Sequence, residues 1–139
     1  MFRKAVLVAA LALAAQGGPA AAAPAAGAAG CGQDAALVGE FVGAYRDAVL
    51  GLGGTGRTPS EVRALYLTPE LNARLDAWAA AHRLDPVFRA ADPPDAWRTG
   101  CAGGAVLVVE EWRRGGTLPV RYTVRAADRS ITGIGGPQG

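Results

Sequence analysis

The hydrophobic positions of this chain follow two rhythms, a helical one in its first half and an alternating one in its second. From Asp34 to Leu52, apolar residues recur every three or four positions (Leu37, Val38, Phe41, Val42, Tyr45, Val49, Leu52), the single stripe of an amphipathic helix that Gly53-Gly54 ends. Thr58-Pro59-Ser60-Glu61 then supplies an N-cap, a proline at the first helical position and a glutamate three residues after the cap. That capping box predicts a short second helix to about Tyr66. Thr68-Pro69-Glu70 repeats the opening, and Leu71, Leu75, Trp78 and His82 mark one stripe of a third helix, which Asp85-Pro86 ends. Residues 85 to 100 hold three prolines with Phe88 and Trp97 as anchors, which predicts an ordered loop packed on the core.

The second rhythm is that of a sheet. Ala105–Trp112 is rich in valine, Leu118–Ala126 alternates apolar with polar residues, and Gly115-Gly116 between them signals a two-residue hairpin turn. That turn would pair Glu110 with Arg121, Val109 with Tyr122 and Leu107 with Val124. Ala105, Leu107, Val109, Glu111, Val120, Tyr122, Val124 and Ala126 would then share the face packed on the helices. The other face would carry Glu110 beside Arg121, an opposite-charge pair in solvent. A turn near Ala127-Asp128 returns Ser130–Ile134 as a third strand. Helices first and an antiparallel meander after give the α+β class.

The first residues change the compartment. Arg3 and Lys4 precede an uninterrupted Ala/Val/Leu run over residues 5 to 15, closed by Gln16-Gly17-Gly18-Pro19. This is the pattern of a cleaved secretory signal covering residues 1–23, too short for the roughly 20 apolar residues of a permanent span. Residues 24–30, an Ala/Pro/Gly tract with nothing to bury, read as a disordered tether, and residues 31–139 as one domain. The expected localisation is exported, periplasmic or secreted. The formal charge of +2 at pH 7 comes from Arg3 and Lys4; without them 12 basic residues face 12 acidic ones. A neutral surface without a basic stripe argues against nucleic acid as a partner.

Cys31 and Cys101 are the two cysteines. In an oxidising compartment the expected state is a disulfide between them. A lipid anchor at Cys31 is the competing reading, because Ala28-Ala29-Gly30-Cys31 loosely resembles a lipoprotein-processing motif. Ala28 stands where such motifs favour a larger aliphatic residue, and lipidation would strand Cys101 as an odd thiol.

Several local words together, Phe41…Tyr45, Leu65-Tyr66-Leu67-Thr68-Pro69-Glu70-Leu71, Asp85-Pro86-Val87-Phe88 and the closing hairpin, resemble a family of small exported bacterial proteins of unknown function. That family is similar to the nuclear transport factor 2-like superfamily, whose cone-shaped fold wraps a curved antiparallel sheet round an N-terminal helix. The resemblance covers most of residues 34 to 134. It implies a pocket between sheet and helices, and a cone left incomplete because the chain is one strand short and Ser130–Ile134 lacks an expected tryptophan. Relatives include isomerases, dehydratases and binding domains, so the fold does not fix the function.

Chemistry is sparse. Glu111 on the expected inner face, with Tyr122 nearby, is the candidate general base and oxyanion donor of a small lyase or isomerase. A one-residue register slip would send Glu111 outward. No His, Cys or carboxylate cluster has metal-ligand spacing, no cofactor motif is present, and neither serine lies in a nucleophile elbow. His82 suits a helix C-terminus better than a proton relay with Asp85. Core packing is the expected duty of Trp78 and Trp97, whereas Trp112, on the face with Glu110 and Arg121, would suit a partner. The binding candidates are therefore Trp112, Arg121, Glu110 and Trp97. The leading expectation is a non-catalytic binding domain for a small ligand or envelope protein. A lyase or isomerase, and an immunity-type or hydrolase-inhibitor protein, are the alternatives.

Overall fold

The computed structural model describes residues 26–136, so the expected signal segment lies outside the described residues. Three helices, α1 (Ala26–Leu50), α2 (Pro59–Tyr66) and α3 (Pro69–His82), precede four strands, β1 (Ala96–Ala102), β2 (Ala105–Trp112), β3 (Gly116–Arg125) and β4 (Ser130–Gly135). The strands form one antiparallel meander in the order β1-β2-β3-β4, open at both edges, and the class is α+β. The described residues include no helix long and apolar enough to cross a membrane.

The helix starts follow their capping chemistry. Thr58 and Glu61 form the reciprocal box, with Glu61 N–H donating to Thr58 Oγ1 and Thr58 N–H donating to Glu61 Oε2. Thr68 caps α3 through its hydroxyl, and α3 ends at Arg83 in a left-handed conformation. Helix α1 begins at Ala26, inside the stretch expected as a disordered tether; alanine is the strongest helix former, and the segment continues directly into the packed helix. Val38, Phe41, Val42 and Tyr45 of the α1 stripe are buried, but Leu52 lies beyond the helix end and is exposed.

Strand β1 falls where the sequence suggests a loop. Its partner is β2, joined through Gly103-Gly104, both at positive φ, the backbone of a tight two-residue hairpin. Helix α1 crosses β1 at Gly39 and Gly43, one turn apart, where the indole of Trp97 lies 3.4 Å from the position of a Cβ at Gly43. Near this crossing the Cys31–Cys101 disulfide ties the helix start to β1, with Cα atoms 6.0 Å apart. The sulfur of Cys31 is thereby committed, which leaves no thiol for a lipid anchor.

The β2–β3 register differs from the expected one by three residues: Trp112 pairs with Gly116, Glu110 with Leu118, Val108 with Val120 and Val106 with Tyr122. The reversal begins one turn earlier, with Gly115 N–H bonded to Trp112 O and Gly116 at positive φ, so that residues 113–115 form the loop. An odd shift exchanges the faces of one strand relative to the other. Val106, Val108 and Glu110 point inward with Val120 and Tyr122, while Glu111 and Arg121 point outward.

Phe41, Tyr45, Phe88, Tyr122 and the inward valines fill the space between α1 and the sheet. The pocket implied there by the resemblance is occupied by side chains. Strand β4 leaves its outer edge open, and that edge is covered from outside: Thr68 N–H bonds to Ile131 O, Arg74 to Thr132 O and Arg89 to Ile134 O. Capping of these carbonyls by neighbouring donors removes a template for strand addition by another chain.

Candidate ligand-binding cleft

Glu111 and Tyr122, paired in the sequence reading as base and oxyanion donor, lie on opposite faces of the sheet. Glu111 is partly exposed and bridges to Arg98 of β1 at 2.8 Å, whereas Tyr122 is fully buried. Glu110 takes the inward place. Arg121 stands opposite Leu107 instead of beside Glu110. Trp97 and Trp112 both pack against the core, and the Trp112 indole donates to Asp92 O at 3.0 Å beneath the 85–95 loop. Trp112 is therefore tied down, though it still lines a cleft with Asp92, Asp95 and Arg113, and Trp78 lines another. His82 behaves as a helix-end residue, with Nδ1 2.8 Å from Trp78 O and its ring stacked on Trp78 at 4.1 Å.

A buried polar cluster lies where the 85–95 loop closes over β2 and β3. Asp85 organises the loop: its Oδ1 accepts from Val87 and Phe88 N–H, each at 2.9 Å, and its Oδ2 accepts from the Tyr45 hydroxyl at 2.8 Å. Below it Glu110 is fully buried, and neither carboxylate oxygen has a hydrogen-bond partner, nor does the Tyr122 hydroxyl. Desolvation, with the charge of Asp85 adding to it and that of Arg89 opposing it, pushes the Glu110 carboxyl up to about 8. Burial and the Asp85 carboxylate also raise Tyr45, and burial with the Glu110 charge raises Tyr122 well above the usual phenol range. Burial thus favours the protonated, uncharged forms of Glu110, Tyr45 and Tyr122 at neutral pH.

Arg89 joins that cluster to the surface. It sits at positive φ, with Nε buried and unpartnered, one terminal nitrogen on Ile134 O, and its guanidinium 5.6 Å over the Trp78 ring. Beyond it opens a cleft of about 560 Å³ between α3 and the β3–β4 hairpin. Leu71, Leu75 and Trp78 of α3 form its apolar wall, and Gly133, Gly135 and Gly136 leave its floor free of side chains. Three arginines from separate elements line it, Arg74 from α3, Arg89 from the loop and Arg121 from β3, the last with its guanidinium turned to Ala102 O; among the described residues no aspartate or glutamate lines the cleft. Each of the three donates to a backbone carbonyl, and among the described residues none forms an ion pair. Positive charge without a counter-charge, beside an apolar wall, is an environment for an anion with a hydrophobic part.

The sequence reading found Arg121, Glu110 and Trp112 but not this arrangement. Arg74, Arg89 and the glycines carry no motif; spacing along the chain does not show that they converge. The described residues contain no group of His, Cys, Asp and Glu arranged to hold a metal ion.

No family model matches the chain, and no curated protein matches it in sequence. In fold it is similar to a solved structure of a protein of unknown function from Bacteroides thetaiotaomicron, at a TM-score of 0.59 and 19% identity, with 75% of this chain and 89% of that one covered. That likeness concerns the fold alone.

Proposed function

We propose that this chain is an exported, non-catalytic binding domain whose ligand is a small organic anion with an apolar body, held in the cleft between α3 and β3–β4. The observation that carries the reading is that Arg74, Arg89 and Arg121 line one cleft, with no acidic residue among the described lining, beside the Leu71–Leu75–Trp78 wall. Guanidinium groups match carboxylate and phosphate geometry with paired donors and hold their charge at all physiological pH. The Cys31–Cys101 bond and the signal-like first residues support export. A non-catalytic role is favoured because Glu111 and Tyr122 share no pocket and Glu110 is sealed from substrate. Binding domains are among the activities that a nuclear transport factor 2-like resemblance would allow.

Isothermal titration of the oxidised mature chain with octanoate, octanamide and inorganic phosphate tests the reading. Octanoate should bind more tightly than either of the others, which lack the charge or the chain. Replacing Arg74 and Arg121 together with alanine should weaken octanoate at least tenfold, since charge-assisted hydrogen bonds contribute about 1.5–3 kcal/mol each. Equal affinity for octanoate and octanamide, or an unaffected double variant, would overturn it.

A further inference from the structure

The loop between α1 and α2 closes a smaller pocket that the anion reading leaves unused. Ala44 and Ala48 of α1, with Val62, Leu65 and Tyr66 of α2, give apolar walls to a volume of about 230 Å³. That lies below the roughly 300–1,000 Å³ of small-molecule sites and suits a single apolar side chain. Of the large hydrophobic side chains left exposed among the described residues, Leu50, Leu52 and Leu65 gather at this end. Leu65 lines the pocket and Leu50 ends α1. Leu52 is 68% exposed and stands at the rim, where its N–H bonds to Asp47 O at 2.8 Å. Leucines exposed singly need no explanation, but a cluster beside a fitting hole marks an interaction surface.

The charges on the rim say what covers it. Asp47 and Arg57 both line the pocket without pairing with each other. Among the described residues Arg57 has no ion pair, and Asp47 meets only Arg46, at 4.0 Å. One acid and one base, beside one knob and one hole, make a patch complementary to itself. A two-fold interface needs that property, because the same surface serves both sides. Opposite charges on one rim give an anionic bilayer no net attraction. We propose that this patch is the interface of a homodimer in which Leu52 of each copy enters the pocket of the other, and Arg57 of each pairs with Asp47 of the other. The inference is independent of the anion cleft, which lies between α3 and β3–β4.

Sedimentation equilibrium of the oxidised mature chain tests it. A patch this small belongs with weak, exchanging interfaces, so the wild type should pass from monomer to twice that mass between about 5 and about 500 µM. Arg57 is exposed and the Asp47 side chain is half-exposed, so charge reversal at either leaves the fold intact. Arg57→Asp and Asp47→Arg should each raise the dissociation constant at least about tenfold, because symmetry turns both rim contacts into like-charge pairs. An equimolar mixture of the two variants restores both opposite-charge contacts and should recover the dimer, and adding Leu52→Ser to each should abolish it. A wild type that stays monomeric throughout, single variants that dimerise as the wild type does, or a mixture that stays monomeric would overturn the proposal. A monomer that instead sediments with phosphatidylglycerol vesicles would also overturn it and assign the leucines to a membrane surface.

Discussion

Replacing Glu110 with glutamine should remove most of the pH dependence of this protein's stability between pH 5 and 8. In the folded chain the carboxyl is pushed from its ordinary 4.5 up to about 8 by burial, whereas in the unfolded chain it titrates near its ordinary value. Through that window the folded state keeps a proton that the unfolded state gives up, so stability is fully retained below about pH 4.5 and falls as pH rises. Each pH unit of the window is equivalent to about 1.36 kcal/mol, which makes the loss on the order of 4 kcal/mol between pH 5 and pH 8. Glutamine fits the same space, stays neutral and removes the effect. Urea unfolding with the disulfide intact reads this directly: a slope of about 1–3 kcal/mol per molar denaturant puts the wild-type midpoint on the order of 2 M lower at pH 8 than at pH 5. The glutamine variant should show a nearly constant midpoint and overtake the wild type near neutrality. Parallel curves for the two proteins would refute the reasoning, because they would show that the acid at position 110 already reaches water.

Three further outcomes follow from the packing. Replacing Cys31 and Cys101 together with serine should lower stability by about 4 kcal/mol, from the loop entropy of their 70-residue separation, read as a urea midpoint against the oxidised wild type. At the α1–β1 crossing, Gly43→Leu should destabilise by about 1–3 kcal/mol because the added side chain meets Trp97, while Gly39→Ala, with its Cβ 3.7 Å from the nearest atom, should be neutral or stabilising by up to about 1 kcal/mol in thermal melts. Glu111→Gln, which breaks only a partly exposed pair with Arg98, should change stability by less than about 1 kcal/mol, in contrast to position 110.

The contrast between positions 110 and 111 marks where sequence reasoning ends. The helices were legible because their signals are local: Thr58-Pro59-Ser60-Glu61 and Thr68-Pro69-Glu70 carry their own caps, and the stripe of α1 points Phe41 and Tyr45 inward whatever they meet. The inward face of β3 was legible from its alternation. Strand β2 was not, because Ala-Val-Leu-Val-Val-Glu-Glu-Trp offers apolar residues to both faces and a glutamate to each. Only the turn decides, and the diglycine served as the left-handed end of a longer loop instead of its centre. Strand β1 escaped notice because its sequence holds one large apolar residue, Trp97, and its extended form comes from pairing with β2. The cleft is a tertiary property: Arg74, Arg89 and Arg121 are three of thirteen arginines, and only the fold selects them.

The most direct test of the anion cleft is an amide and indole NMR map of the oxidised chain titrated with octanoate. The account predicts shifts confined to the Trp78 indole, Thr123 and the Gly133–Gly136 amides, lost when Arg74 and Arg121 are both alanine. Shifts centred on Trp112 and the Asp92–Asp95 loop, or none that saturate, would contradict it.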